Sequence, residues 1–293
     1  MVNEFKIKQE ICEIGRRIYE KGFAAANDGN ISYRISDKEV LCTPTLASKG
    51  FLKPDDICTV DMNGKQTAGR KKRTSEVLLH LEIYKMDPSI KSVVHCHPPH
   101  ATAFSVAGEA IPTCILPEVE IFLGPIPTTV YETPGAQNFA DTIRPHVSNS
   151  RIAVLKNHGT VSWGESLENA YWWTEILDAY CRILILAKQV GNVERISGDK
   201  VKELIDLKEK LGIHGDPRTM QSADMCINTE FGRGYSNNVN QPAAGPPKPS
   251  APMTPPASLL PRSSESHNGG GVSDAEVEHV VQEITDRIMA AMK

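Results

Sequence analysis

Apolar residues recur at helical spacing over residues 8–21, where Ile11, Ile14 and Ile18 fall on one face, and this predicts an amphipathic helix. Phe23 then leads into a polar turn, Asn27-Asp28-Gly29-Asn30. Extended patterns over 31–35, 39–42 and 57–61 predict three neighbouring antiparallel strands, the last closed by the hairpin signal Asn63-Gly64. Thr74 reads as the cap of a helix over 75–85, residues 93–97 and 152–155 as short apolar strands, and Ser166 as the cap of a long helix reaching about Val190. Mixed helices and strands, some of the strands consecutive, predict an α/β fold in α+β-like layers: a central, mainly antiparallel sheet flanked by helices. No internal repeat interrupts this pattern.

The pattern stops after about residue 215. Residues 242–271 hold eight prolines, four glycines and five serines and no aromatic residue, a composition that cannot offset its ordering entropy. Helical periodicity returns over 272–293 through Val277, Val281, Ile284 and Ile288, behind a capping box of Ser273 and Glu276. Three regions are therefore expected: a globular domain over 1–215, a Pro/Gly/Ser-rich disordered linker over 216–271, and an amphipathic helix over 272–293 whose apolar stripe needs a docking partner.

The chain has 293 residues with a formal net charge of −4, and no block of Lys or Arg builds the footprint of a nucleic-acid binder. No apolar run approaches the length of a membrane span and the N-terminus lacks an apolar targeting core, so a cytoplasmic protein without nucleic-acid or membrane partners is expected. Seven scattered cysteines, an odd number with no Cys-x-x-Cys pair, predict reduced thiols.

His95 and His97 lie two apart in Ser92-Val-Val-His-Cys-His97, so both imidazoles leave one face of a strand and can chelate one ion. Alone the pair is equally a polar sheet face. His158, in the turn Lys156-Asn-His-Gly159 that ends a strand, is the natural third ligand, and its plain alternative is a turn histidine bonding backbone. Glu76, in the first turn of the helix after Thr74, offers a carboxylate that a helix N-terminus keeps ionised, although glutamate there is also ordinary capping chemistry. Three neutral imidazoles leave a coordination position open, which is the pattern of a catalytic rather than a structural zinc. The turn Asn27–Asn30 and the pair Thr74-Ser75 could each hold an anion or serve as plain turn and cap.

Together these residues resemble the class II aldolase and adducin head family. The resemblance spans residues 8–190 and rests on an ordered series: Asn27-Asp-Gly-Asn30-Ile-Ser32, Thr43-Pro-Thr45, Thr74-Ser-Glu76, His95-Cys-His97 and Asn157-His-Gly159. It implies Zn2+ or another divalent ion on His95, His97, His158 and Glu76, with Glu76 also the acid/base, and a substrate phosphate on Asn30, Thr45, Thr74 and Ser75. The implied reaction is retro-aldol cleavage of a deoxyketose 1-phosphate, L-fuculose or L-rhamnulose 1-phosphate, to dihydroxyacetone phosphate and lactaldehyde. Epimerisation and decarboxylation on the same site, or an adducin-like binding head without metal, are the alternatives.

The chain departs from the fuculose-phosphate aldolase pattern twice. Leu46 stands where a phosphate-binding glycine is expected, and Leu116-Pro-Glu118 where a tyrosine proton donor is expected, which makes Glu118 and Tyr131 the candidate donors. A glutamate near position 118 also occurs in the family's methylthioribulose-phosphate dehydratases, but those lack a carboxylate at the position of Glu76. The resemblance further implies a homotetramer whose sites lie at subunit interfaces, completed through the region near His214. The linker and helix over 272–293 resemble the encapsulation peptides that carry enzymes into bacterial microcompartments, with shell or cargo proteins as partners.

Overall fold

A computed structural model of the chain describes residues 3–213, 216, 218 and 225–232. The expected helix over 272–293, most of the expected linker, and His214 lie outside the described residues.

Seven strands form one sheet: β1 (Asn30–Arg34), β2 (Glu39–Cys42), β3 (Cys58–Asp61), β4 (Gln66–Ala68), β5 (Ser92–Cys96), β6 (Ile152–Leu155) and β7 (Gly159–Gly164). Their order is β4-β3-β2-β1-β5-β7-β6, and every neighbouring pair is antiparallel. The expected sheet is therefore present, and β5, which carries His95 and is followed directly by His97, lies inside it between β1 and β7.

Alternation along the strands decides what covers each face. Val40, Cys42, Val60, Val93, Val161 and Trp163 pack with α2 (Val77–Met86) and α5 (Gln137–Asp141). Ile31, Leu41, Val94 and Cys96 pack with Ile7, Ile11, Ile14 and Ile18 of α1 (Glu4–Glu20) and with Leu167, Ala170 and Tyr171 of α6 (Leu167–Val190). Beyond β6, the helices α3 (Pro99–Ala107) and α4 (Pro117–Phe122) close a third cluster against α6. Helix α1 starts earlier than its apolar stripe because Asn3 caps it, accepting the Lys6 N–H at 3.1 Å. Ser166 caps α6 as expected, accepting from the Asn169 amide.

Two expectations are corrected. Thr74 is not a helix cap: its Oγ1 accepts from the Glu76 amide at 3.3 Å, a turn ahead of α2, and Glu76 itself is the N-cap residue. The cysteines are not all thiols, because Cys114 and Cys226 form a disulfide with their Cα atoms 5.6 Å apart, while Cys12, Cys42, Cys58, Cys96 and Cys181 remain free.

That disulfide belongs to a return of the chain onto the globule. After α7 (Gly198–Lys210), Asp216 and Arg218 are buried with Lys208 and Glu120 in one ion cluster: Arg218 donates to Glu120 and to Asp216, and Lys208 reaches Asp216 at 3.0 Å. Residues 225–232, which composition assigns to the linker, pack on the core. Ile227 donates to Thr113 Oγ1 at 2.7 Å, Arg195 to the Asn228 carbonyl, and Phe231 stacks on Phe104 with centroids 5.4 Å apart.

Burial would raise the Asp216 pKa, but the Arg218 hydrogen bond and the charges of Arg218 and Lys208 more than reverse it, holding it at about 2 instead of 3.8. A depressed carboxylate contributes stability above its unfolded pKa and loses it as pH falls toward the folded one, so this cluster is expected to weaken between the ordinary 3.8 and about 2. At neutral pH, Arg218→Met leaves two buried carboxylates short of a partner and is expected to cost about 3–5 kcal/mol. Denaturant unfolding of the wild type and the variant measures both effects.

Candidate active site

Antiparallel pairing sets Asn30 of β1 directly opposite His95 of β5, and Cys96 opposite Thr160 of β7. The end of β5 therefore meets the turn before β1 on one side and the β6–β7 hairpin on the other. Asn157 takes a left-handed φ of 54° in that hairpin and lets His158 follow within three residues of turn between the paired Leu155 and Gly159.

Two glycines make this convergence possible. A Cβ on Gly29 would stand 2.8 Å from the His95 carbonyl oxygen, and one on Gly159 would stand 2.5 Å from His97 Cδ2 and 2.6 Å from the Cys96 oxygen. Gly159→Ala is thus expected to displace His97, costing about 1–3 kcal/mol of stability and about 10–100-fold in metal affinity. Thermal unfolding and metal titration read these separately.

His95, His97 and His158 form a triangle with ring centroids 4.8–5.0 Å apart. One ligand nitrogen from each lies within 4.8 Å of the others. Glu76 closes the group: Oε2 is 3.2 Å from His95 Nε2 and Oε1 is 3.5 Å from His158 Nε2. His95 Nδ1 donates to the Thr160 carbonyl at 2.8 Å, which leaves Nε2 as a bare lone pair, and His97 Nε2 stands 3.2 Å from it. Asp28 Oδ2, 3.4 Å from His97 Nδ1, favours the proton on that side of the second ring.

Burial lowers the pKa of His95 well below the usual value, with the neighbouring His158 and His97 adding to it, and burial lowers that of His158 as well. Imidazole nitrogens facing a carboxylate at this spacing form a donor set that a divalent cation fits. His95, His97 and His158 are the residues that could hold such an ion, with Glu76 beside them.

The expected anion-binding segments adjoin this group. The Thr74 amide donates to the Thr43 carbonyl and Thr43 Oγ1 accepts from Ile31, which brings the three loops together beside β1. Thr45 is half-buried, Ser75 exposed and Thr74 buried under Glu76. Asn30 is placed differently from the expectation of a dedicated phosphate ligand: its Nδ2 donates to Glu76 Oε2 at 2.7 Å and its Oδ1 meets His80, so one N–H is left for a substrate. Glu118 is exposed on α4 and Tyr131 in the loop before α5, and among the described residues neither hydrogen-bonds to the histidine cluster.

Sequence reasoning passed over Asp28, Lys49 and His80. Lys49 is buried, its Nζ donating to the carbonyls of Asn27 and Ala47 at 2.6 Å each, so that one ammonium ties two of the loops; burial lowers its pKa to about 8. Leu46, beside it, takes a left-handed φ of 55°, the conformation that suits the glycine expected there.

Residues 9–185 match the Class II Aldolase and Adducin N-terminal domain. The chain is 37% identical over 175 residues to the L-fuculose phosphate aldolase of Methanococcus vannielii, covering 60% of this chain and 93% of the relative. It is 29% identical over 207 residues to the 3-oxo-tetronate 4-phosphate decarboxylase of Haemophilus influenzae, covering 69% and 94%. The crystal structure of YgbL from Klebsiella pneumoniae superposes with a TM-score of 0.64 at 31% identity, over 70% of this chain and 100% of that one.

Proposed function

Because the chain belongs to the class II aldolase and adducin family, as a metal-dependent lyase, we propose that it cleaves L-fuculose or L-rhamnulose 1-phosphate to dihydroxyacetone phosphate and lactaldehyde. The observation that carries this reading is the convergence of His95, His97, His158 and a hydrogen-bonded Glu76 at the end of β5, beside loops suited to a phosphate.

His95, His97 and His158 would hold a divalent ion, which we take to be zinc, and it would supply Lewis-acid withdrawal of electrons from the substrate ketone. The chain's own groups handle the protons. When the bond between C3 and C4 breaks, the C4 hydroxyl gives up its proton and becomes the aldehyde, and its electron pair passes through C3 into the enediolate. Glu76, having first taken up a proton from solvent, delivers it to C3 and is a carboxylate again, while the proton released from the C4 hydroxyl leaves to solvent. Glu118 and Tyr131 are the candidates for the proton at the C4 oxygen. Their exposure suits delivery into the site of a neighbouring copy, and a homotetramer is the assembly we assign.

Decarboxylation of a 3-oxo acid phosphate is the second reading, favoured by the longer match to the Haemophilus relative. Loss of carbon dioxide beside a ketone leaves the same kind of enediolate for Glu76 to protonate. The expected result is dihydroxyacetone phosphate release from one of the two deoxyketose phosphates, lost on chelation and restored by zinc. Release from 3-oxo-tetronate 4-phosphate alone decides for the decarboxylase, and no product from either class rejects both.

We assign residues 272–293 to capture inside a bacterial microcompartment, where a shell would retain the reactive aldehyde. Deleting them is expected to leave turnover intact and to abolish co-purification with shell proteins; unchanged association rejects the assignment.

A further inference from the structure

We infer that His80, buried beneath the site, is a positioning residue that fixes the orientation of Glu76 through Asn30. The inference rests on the proposed role of Glu76 in moving the substrate proton.

Glu76, the N-cap residue of α2, and His80 and Tyr84 within it lie four residues apart, and Asn30 and Ser32 two apart on β1. Four helical residues rise about 6 Å and two strand residues about 6.6 Å, so the two repeats stay in step and their side chains interleave. Four hydrogen bonds result. Asn30 Nδ2 meets Glu76 Oε2 at 2.7 Å, Asn30 Oδ1 meets His80 Nε2 at 2.5 Å, His80 Nδ1 meets Ser32 Oγ at 2.7 Å, and Ser32 Oγ meets Tyr84 OH at 2.8 Å.

The direction of every proton in this chain is determined. A carboxylate only accepts, so Asn30 turns its N–H to Glu76 and its carbonyl to His80, and His80 Nε2 must carry a proton. Burial lowers the His80 pKa to about 3, so the ring is neutral and Nδ1 is a bare acceptor. Ser32 therefore gives its one proton to His80, and the bond between Ser32 and Tyr84 is filled by the tyrosine proton. All four donors point along one line at Glu76.

This line does not conduct protons, because the Asn30 amide interrupts it. What it does is prevent the amide from turning over. A reversed Asn30 would set N–H against the Nε2–H of His80 and a carbonyl against the carboxylate, leaving buried groups unpaired at both ends. Glu76 Oε2 is thereby held as the acceptor of the Asn30 amide, and Oε1 is the oxygen left to exchange a proton with substrate.

The test is deuterium wash-in at the hydroxymethyl carbon of dihydroxyacetone phosphate, which reads proton removal and return by Glu76 without a choice of sugar. In the metal-loaded full chain, His80→Leu is expected to slow exchange and kcat by about 10–100-fold, with KM and bound metal per chain unchanged. His80→Gln, whose amide N–H can stand at Nε2, is expected to recover most of that loss. Equal losses in both variants, a parallel loss of metal, or exchange by His80→Leu at the wild-type rate overturn the inference. If His80→Leu does not fold, Ser32→Ala decides: slower exchange with KM and metal kept supports the chain, and an unchanged rate overturns it. A wild type that binds metal but exchanges no deuterium overturns the role of Glu76 first, and this inference with it.

Discussion

Glu76→Gln is expected to lower kcat by about 10²–10⁴-fold, the range a positioned acid/base contributes. KM should stay within a few-fold, because the amide keeps the size and shape of the carboxyl and the three imidazoles remain to hold the ion. This pattern separates a group acting in the transition state from one that binds substrate, since loss of uniform binding would raise KM and spare kcat. Steady-state kinetics with metal content measured on the same preparation checks it, and near-normal kcat would remove Glu76 from the proton transfer. Because Asn30 holds Glu76 at 2.7 Å, Glu76→Gln combined with a His80 substitution should cost little more than Glu76→Gln alone.

Replacing His95 by alanine should be comparably severe for a different reason. His95 is fully buried, Thr160 holds its Nδ1, and both its ring partners and Glu76 lie around its Nε2. Removing this imidazole would take away the central ligand of the proposed metal site, and turnover is expected to fall about 10³-fold or more, the rate equivalent of several kcal/mol of lost Lewis-acid stabilisation. Metal per chain should fall from one to near zero, which distinguishes this variant from Glu76→Gln. Chelation of the wild type should reproduce the loss and added zinc reverse it, whereas zinc should not rescue His95→Ala. A His95→Ala chain that keeps both metal and turnover would remove His95 from the ligand set.

The sheet was legible in the sequence wherever apolar residues alternate at short range: β1, β2, β3, β5 and β6 stand within a residue or two of their expected places. Strand β7 was not, because Gly159-Thr-Val-Ser-Trp-Gly164 carries few apolar residues and is joined to β6 through an asparagine in a left-handed conformation, without an Asn-Gly pair. The packing of Asp216, Arg218 and residues 225–232 on the core was hidden as well. Its anchors are an ion cluster and a disulfide between residues far apart in sequence, and neither leaves a local signal. At the site, the histidine triangle follows from strand geometry and the family resemblance. The roles of Asn30 and His80 emerge only when β1 is laid against α2, because a single histidine on a largely buried helix reads as ordinary core. A spacing of Glu-x₃-His-x₃-Tyr opposite Asn-x-Ser is the signal that would have revealed them.

The meandering order of the sheet has a kinetic meaning. Asn30, Glu76, His95 and His158 come from four separated segments, and they meet only once β1, β5 and β7 have all paired. Local hairpins such as β6–β7 close quickly, whereas pairing β5 with β7 and with β1 must first overcome the entropy of long intervening loops. Assembly of the histidine triangle is therefore expected late on the folding pathway, and a partly folded chain, with its imidazoles still apart, would have little to offer a metal.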